Sequence, residues 1–189
     1  LDNETWVKEP LKKDRLVSTQ TCPWRRRTLV GEVDDDNAWA AGGIEGHAGL
    51  FGDAPSIHIL CCEILAAVCH GSPLVIDPDV LADFVRKETG RDYVAGFDTP
   101  SKVNSSAGRF FGPGSVGHLG FTGTSFWINP VSGLIVILLT NRVHPSRANQ
   151  NVPGVHTAME HVLPVRVDQS LRHSGHDSQG DLRDQLSTR

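Results

Sequence analysis

Apolar residues recur at helical spacing in the first half of the chain. From Asp53 onwards they follow an i, i+3, i+4, i+7 pattern, with Asp53 as a candidate N-cap, Pro55 in the first turn and Gly71 as the stop. A shorter segment of the same kind starts at Asp77-Pro78 and stops at Gly90. The pattern predicts two helices. The buried face expected for the first consists of Ile57, Leu60, Cys61, Ile64, Leu65 and Val68.

The second half of the chain has strand character. Residues 118–128 mix Phe, Thr and Trp, residues 134–140 are a continuous apolar run, and the Asn-Pro-Val-Ser-Gly sequence of 129–133 separates them. This order predicts a hairpin with a deeply buried second strand. A last helix is expected at 153–163, and the polar residues 164–189 are expected to be a disordered tail. The predicted fold class is therefore α/β (α+β), with an antiparallel sheet flanked by helices.

Composition narrows the function classes. The chain has 189 residues, of which 39% are hydrophobic, and a formal net charge of -4. Its one dense basic run, Arg25 to Arg27, reads as solvated surface, so nucleic acid is not an expected partner. No apolar run approaches the roughly 18 residues that span a bilayer. The sequence starts at Leu1 without a charged-then-apolar leader, which leaves the compartment open and suggests a fragment.

The cysteines and the acidic residues do not predict a metal site. The cysteines form no C-x-x-C pair, and Cys61, Cys62 and Cys69 lie within the apolar pattern of the first helix, where core packing is the favoured role. The run Asp34 to Asp36 lacks the ligand spacing of an EF-hand, so a solvated acidic turn is favoured over paired carboxylates or a calcium loop. We therefore predict no metal and no cofactor.

Two segments resemble a known family. Residues 43–51, Gly-Ile-Glu-Gly-His-Ala-Gly-Leu-Phe, are similar to a G-G-v-x-G-H-A-G-L-F segment of the β-lactamase-related serine hydrolases. Residues 117–130, Gly-His-Leu-Gly-Phe-Thr-Gly-Thr-Ser-Phe-Trp-Ile-Asn-Pro, followed by residues 133–142, resemble the family's last catalytic strand and its hairpin partner. The family includes class C β-lactamases, penicillin-binding D-alanyl peptidases and EstB-like esterases. The likeness covers about residues 7 to 163.

The resemblance implies a β-lactamase or transpeptidase-like fold and serine acyl transfer. The family uses an S-x-x-K motif, a Y-x-N or S-x-N motif, and a K-T-G or H-x-G motif on a strand. His118 and Gly120 match the third motif, and the Phe121 N–H matches the strand donor of the oxyanion hole. These three are the expected catalytic residues, with Leu119 and Thr122 beside them as the expected substrate-binding residues. A donor directly after a glycine can reach a developing oxyanion.

The other two motifs are absent from the sequence. None of the five lysines has a serine three residues before it. The residue two positions after Tyr93 is not Asn, and no Ser stands two residues before an Asn. A second departure is Val33-Asp34-Asp35, where the matching branch of the family usually has V-H-D. For His47, in the glycine-rich segment, a structural hydrogen bond to the backbone is favoured over catalysis. Gly114-Ser115-Val116-Gly117 is one residue short of a hydrolase elbow.

The sequence therefore predicts the C-terminal portion of a β-lactamase-related hydrolase domain over residues 1–163, incomplete and inactive alone. The expected partner is a small acyl substrate, namely a β-lactam, a D-amino-acid peptide or an ester. The alternative is a non-catalytic binding or interaction module with the same fold. Without the helix that carries the nucleophile, residues 134–139 and the face of the first helix would lie partly uncovered. We therefore also expect the isolated chain either to self-associate through this apolar surface or to fold poorly.

Overall fold

A computed structural model describes residues 13–70, 75–86, 91, 93–103 and 105–149 of the chain. The predicted helix at 153–163 and the predicted tail at 164–189 lie outside this part. A single 3-10 turn, Lys13–Arg15, precedes the other elements. In chain order these are β1 (Thr21–Cys22), β2 (Arg27–Thr28), α1 (Asp36–Ala40), α2 (Ala54–His70), α3 (Pro78–Phe84), β3 (Val116–Leu119), β4 (Thr124–Asn129) and β5 (Leu134–Leu139).

The strands form two antiparallel sheets. β1 and β2 make a short hairpin, and β3, β4 and β5 make a three-stranded sheet with β4 in the centre. The mixed α/β class with an antiparallel sheet is as predicted. The expectation of one strand over 118–128 is wrong, because the chain turns after β3 and Gly123 N donates to Gly120 O at 3.0 Å. Gly123 has a φ of +106°, and a Cβ there would lie 2.9 Å from Arg142 N.

The turn between β4 and β5 follows the prediction from its residues. Asn129 Oδ1 accepts hydrogen bonds from Val131 N at 3.0 Å and from Ser132 N at 3.2 Å, and Gly133 has a φ of +70°. The deep burial expected for the second strand is wrong, because β5 lies at the sheet edge and its residues are all partly or largely exposed. The most buried strand is β4, where Trp127 and Ile128 are both 0% exposed.

The two faces of the three-stranded sheet are covered differently. On one face α2 and α3 pack with Val116 and Ile128, in a core whose buried members also include Cys61, Ile64, Ala67, Leu81 and Val94. On the other face Trp127 packs with Ala107 and Phe111. The sheet is thus a thin layer, with two helices on one side and a loop on the other.

Helix α2 begins as its sequence predicts but buries a narrower face. Asp53 Oδ1 accepts from Ser56 N at 3.0 Å, as an N-cap does. The buried stripe runs along Cys61, Ile64 and Ala67. The prediction was wrong for Leu60 and Val68, which are 46% and 37% exposed, because they lie at the margins of this stripe. It was also wrong for two cysteines assigned to the core, Cys62 and Cys69, which are exposed.

Helix α3 confirms the second helical segment. Asp77 Oδ1 accepts from Asp79 N at 2.9 Å and from Val80 N at 3.3 Å, with Pro78 in the first turn. Leu81 is the buried residue of this helix and joins the core beneath α2. Among the described residues, no helix has the length and apolar character that crossing a membrane requires.

Candidate active site

The residues predicted from the family motif lie together at one end of β3. His118 and Leu119 are the last two residues of the strand, and Gly120, Phe121 and Thr122 lead into the turn before β4. His118 pairs with Phe126 across the sheet, and Phe126 packs against the core under α2. Because cross-strand partners share a face, His118 lies on the α2 side of the sheet, where it is exposed.

The backbone of β3 presents an open edge beyond residue 117. Gly117 exchanges two hydrogen bonds with Asp98, at 2.8 and 3.0 Å, on the side away from β4. Because successive residues alternate, the N–H and C=O of Leu119 also point to this outer side, where the pairing with Asp98 has ended. Gly120 N turns back to donate to Thr124 O at 2.7 Å. The Phe121 N–H has no hydrogen-bond partner within the described part of the chain.

Glycine is required at both ends of this short stretch. A Cβ on Gly117 would lie 2.4 Å from Phe126 O and 2.5 Å from a ring atom of Trp127. A Cβ on Gly120 would lie 2.2 Å from Thr124 Oγ1. Without side chains at these positions the backbone can lie close against β4, and the absence of a side chain at position 120 lets a ligand approach the strand closely beside His118 and Phe121.

Two arginines hold the ring of Phe121. The Arg142 guanidinium carbon lies 4.2 Å from the ring centroid and that of Arg147 lies 5.7 Å from it, both within cation–π range. Arg142 N also donates to Thr122 O at 2.9 Å. The turn that carries the unpaired Phe121 N–H is therefore attached to the segment that follows β5.

Arg147 connects this turn to the acidic run. Its Nε lies 3.0 Å from Asp34 Oδ2 and its Nη1 lies 2.9 Å from Asp36 Oδ2. The Arg147 hydrogen bond is the main reason that the pKa of Asp36 is lowered, against the opposing effect of burial. Burial alone would lower the pKa of Arg147, but the hydrogen bonds and charges of Asp36 and Asp34 raise it. The prediction of a solvated acidic turn is wrong, because Asp34 is 5% exposed and ion-paired.

Arg25 also departs from its prediction as solvated surface. Its side chain is 1% exposed, with Nη2 2.7 Å from Asp36 Oδ1 and Nη1 2.7 Å from Val33 O. The guanidinium carbon lies 4.9 Å from the ring centroids of both Trp24 and Trp39. An arginine can be buried here because both of its terminal nitrogens donate to acceptors and two tryptophan rings lie against its planar group. We call Arg25, Asp34, Asp36 and Arg147, with the two tryptophans, the Arg25 cluster.

His47 makes a structural contact of a different kind from the one predicted. Its Nε2 lies 3.2 Å from the side-chain oxygen Asp35 Oδ1, and not against a backbone group. The same oxygen caps α1 by accepting from Ala38 N at 2.8 Å. The pKa of Asp35 is lowered, first by the Ala38 hydrogen bond and then by His47. His47 therefore helps to fix the start of α1, which supports leaving it out of the catalytic set.

An open pocket lies beside the glycine-rich segment and apart from β3. Its volume is about 500 Å³. Its lining consists of Gly31, Glu32, Val33, Trp39, Gly42, Gly43, Ile44, Gly49 and Phe51, and includes none of the five predicted site residues. We place the candidate site at β3 and not here, because the lining of this pocket has no nucleophile and its one carboxylate, that of Glu32, is paired with Arg25 and Arg27. Within the described ranges no group of three or more His, Cys, Asp or Glu side chains could hold a metal ion.

Sequence reasoning missed the two arginines that hold Phe121. Both follow the predicted second strand, and Arg142 stands within the matched segment, but nothing in their spacing indicates a ring contact. The available signal was a charge argument. Three consecutive aspartates repel one another and need cations nearby, and the chain supplies these from Arg25 and from Arg147, which is 113 residues away from Asp34.

Comparison with known proteins identifies one family model and a set of similar curated proteins. A model of the family described as Beta-lactamase matches residues 3–157. A protein of Salmonella agona (strain SL483), named "Putative D-alanyl-D-alanine carboxypeptidase", is 36% identical over 133 residues, which cover 68% of this chain and 31% of the relative. Proteins of the same name from Salmonella gallinarum and Salmonella paratyphi B are 36% and 35% identical over the same lengths.

The chain spans about a third of the length of these curated relatives. No solved structure gives a significant match. The family match covers most of the chain, including the strand and the turn that carry His118, Gly120 and Phe121. The chain therefore belongs to the β-lactamase-related family of serine hydrolases.

Proposed function

We propose that this chain supplies one wall of an acyl-transfer site and that the nucleophile comes from outside its sequence. In this proposal the Phe121 N–H stabilises the oxyanion that forms when a carbonyl is attacked. His118 holds or orients the acyl substrate from the α2 side of the strand. Leu119 and Thr122 contact the substrate on either side of the glycine. The expected reaction is hydrolysis of an ester or amide through an acyl-enzyme.

The observation that carries the proposal is the unpaired Phe121 N–H directly after Gly120. The preceding N–H, that of Gly120, donates to Thr124 O. The N–H of Phe121 is thus the first free donor after a paired one. A preorganised N–H beside a side-chain-free position can meet a developing negative charge without reorganising. The ring of Phe121, held by Arg142 and Arg147, fixes the direction of this donor.

The chemistry of the site is incomplete within this chain. An oxyanion donor lowers the barrier only when a nucleophile is positioned about 3 Å from the same carbonyl carbon. The sequence has no S-x-x-K segment to supply one. We therefore expect the chain alone to be inactive. The name of the Salmonella relatives makes a D-alanyl-D-alanine peptide the first substrate to test, ahead of a β-lactam or a simple ester.

A labelling experiment tests the missing nucleophile. The purified chain is incubated with a fluorescent penicillin and, separately, with a fluorophosphonate, and adducts are detected by intact mass. We expect no adduct from the folded chain. A stoichiometric adduct on one serine would overturn the incomplete-site proposal and identify a nucleophile outside the S-x-x-K pattern.

A chimera tests the oxyanion donor. In the Salmonella agona relative, the matched segment is replaced by that of this chain, and cleavage of a D-alanyl-D-alanine peptide is measured. Phe121→Pro removes the N–H. Phe121 stands second in the turn from Gly120 to Gly123, where proline is favoured in type I and II turns. We expect kcat to fall by roughly 10²–10³. Phe121→Leu keeps the N–H and is the matched control, expected to retain most of the activity.

The second candidate function is a non-catalytic binding module. The absence of the nucleophile motif from this sequence favours it, because such a module needs the open edge of β3 but no serine. It predicts binding of an acyl ligand to the isolated chain, without turnover. Shifts of the His118 and Phe121 amide resonances on adding a D-alanyl-D-alanine peptide would support it. The same activity in the chimera with Phe121→Pro and with Phe121→Leu would favour it over the catalytic proposal.

A further inference from the structure

The outward face of α2 carries almost no charge. Of the helix's 17 residues only Glu63 is acidic or basic apart from histidine, and its carboxylate accepts from Val75 N at 3.3 Å. The outward side chains include Ile59, which is 66% exposed, and the exposed His58 and Cys62. A helix with apolar residues on both faces normally packs on both faces. The outward face of α2 therefore has the composition of an interface.

His58 and Cys62 lie one helical turn apart on this face. Cys62 Sγ is 3.7 Å from both Nδ1 and Nε2 of His58. In a tetrahedral zinc site, with Zn–S about 2.3 Å and Zn–N about 2.0–2.1 Å, the sulfur and nitrogen ligands stand roughly 3.5 Å apart. The backbone thus already places the two groups at chelating distance, and rotation of the imidazole aims one nitrogen at a shared ion.

These two ligands need two more to close a tetrahedral site, and the described part of this chain does not offer them. No group of three metal-binding side chains occurs there. Of the other cysteines on the helix, Cys61 is buried on the inner face and Cys69 Sγ donates to Pro130 O at 3.4 Å. A second molecule can supply the missing ligands.

The position of Cys62 suits a second copy of the chain as that molecule. Cys62 is the central residue of α2, which runs from Ala54 to His70. A two-fold axis beside it brings two helices together at their midpoints and places the same His–Cys pair of each copy around one point. Ile59 then contributes exposed apolar surface one turn away from that point.

We propose that His58 and Cys62 form half of a binding site for a soft divalent cation of the zinc type, completed as Cys₂His₂ by the same residues of a second copy. Each thiol releases its proton to solvent and binds as a thiolate, while each imidazole binds as the neutral ring. The inference goes beyond the proposed hydrolase function and does not rest on it.

The test uses the reduced, chelator-treated chain with Co²⁺ as a spectroscopic probe and Zn²⁺ as competitor. We expect a thiolate-to-cobalt charge-transfer band and tetrahedral d–d bands that saturate at one metal per two chains. In sedimentation velocity the mass should double when Zn²⁺ is added and return to the starting value with EDTA. Addition of Zn²⁺ should bleach the cobalt bands.

Three variants make the test specific. Cys62→Ser should abolish the charge-transfer band and the metal-dependent doubling of mass, and His58→Gln should weaken binding at least tenfold. Cys69→Ser, at the other exposed cysteine of the helix, is the matched control and should behave as the parent chain. His58 and Cys62 are exposed, so their variants should keep the parent circular dichroism spectrum.

Any of three results would overturn the proposal. The first is saturation at one metal per chain without a change in mass. The second is a dimer whose abundance is the same with Zn²⁺ and with EDTA. The third is a Cys62→Ser variant, folded by circular dichroism, that binds Co²⁺ as the parent does.

Discussion

The Arg25 cluster and helix α2 reverse the usual relation between polarity and burial. The cluster is built from charged residues, yet its Arg25 side chain is 1% exposed. Helix α2 is largely apolar, yet Ile59 and Leu60 are 66% and 46% exposed. The difference lies in the partners that the rest of the chain provides for each region. The cluster has a partner for each charge, whereas α2 has a packed surface on one face alone.

This contrast shows that the presence of partners for each group, and not its polarity alone, decides whether a region is stably buried. A buried charge is tolerated when acceptors and rings surround it, and it becomes costly only when a partner is removed. An exposed apolar face costs little in an isolated chain but favours association. Substitutions in the two regions should therefore have opposite profiles, with large losses of stability in the polar region and small ones on the outward apolar face.

The largest effect is expected for Arg25→Met. The change leaves the carbonyl of Val33 without a donor at a buried position and breaks the ion pairs of the buried guanidinium with Glu32 and Asp36, so the free energy of unfolding should fall by about 3–5 kcal/mol. Urea denaturation monitored by the fluorescence of the tryptophans measures it. Arg26→Met, at the adjacent exposed position, is the control and should change stability by less than about 0.5 kcal/mol. Equal losses in both variants would contradict the role of the cluster.

The next largest loss of stability is expected on the buried face of α2, in contrast to its outward face. Ile64 is 5% exposed and lies in the core, so Ile64→Ala should lower the free energy of unfolding by about 3 kcal/mol through lost burial and a cavity. Ile59→Ala, on the same helix at 66% exposure, should cost less than about 0.5 kcal/mol. Thermal or urea unfolding of both variants gives the ratio, and comparable losses would show that the outward face is already packed.

A smaller effect is expected for Arg147→Met. The guanidinium is 32% exposed and bonds the carboxylates of both Asp34 and Asp36, so its loss should cost about 2 kcal/mol. Arg147→Lys should recover only part of this, because an ammonium group cannot reproduce the forked geometry. Arg86→Met is the control, since its ion pair with Asp83 is largely exposed and should contribute little. A full recovery by lysine would mean that charge alone matters.

The smallest effect is a dependence of stability on acid pH. The Arg147 hydrogen bond lowers the pKa of Asp36 in the folded chain. A depressed folded pKa contributes stability that is fully present above the unfolded value of about 3.9 and is lost as pH falls through the folded pKa. The free energy of unfolding should therefore decline from roughly pH 5 downwards. Arg147→Met should flatten that decline, and an unchanged slope would contradict the coupling.

Local signals in the sequence predicted local structure well. The cap and proline patterns placed the starts of α2 and α3 correctly, because the side chains that cap a helix are neighbours of the backbone that they bind. The turn at residues 129–133 was predicted for the same reason. The break of the first predicted strand after Leu119 was missed, because Phe121, Thr122 and Thr124 have strand propensity. Only the contact of Gly123 with the segment after β5 requires a turn there.

Long-range pairing could not be derived from the sequence. The prediction that Asp34 is solvated was wrong because its partner, Arg147, is far away in the sequence. Arg147 makes the ion pair only in the folded chain, where the segment after β5 lies beside the acidic run. The positions of His118, Gly120 and Phe121 came from the family motif and not from periodicity. Their catalytic roles, and the self-association expected from the uncovered face of α2, stay predictions that the experiments above decide.

The way in which Arg25 binds has a consequence for how this loop can evolve. Three of its contacts are with main-chain oxygens, those of Val33, Asp34 and Asp35, at 2.7, 3.3 and 3.3 Å. Every residue has a backbone carbonyl, whatever its side chain. Arg25 can therefore hold the path of the loop without depending on the side chains at positions 33 to 35. The side chains of this loop can then serve other contacts, as Asp35 does by capping α1 and Asp34 does by pairing with Arg147. An aspartate at position 34, where the matching branch of the family usually has histidine, is a change of the kind that such a scaffold tolerates.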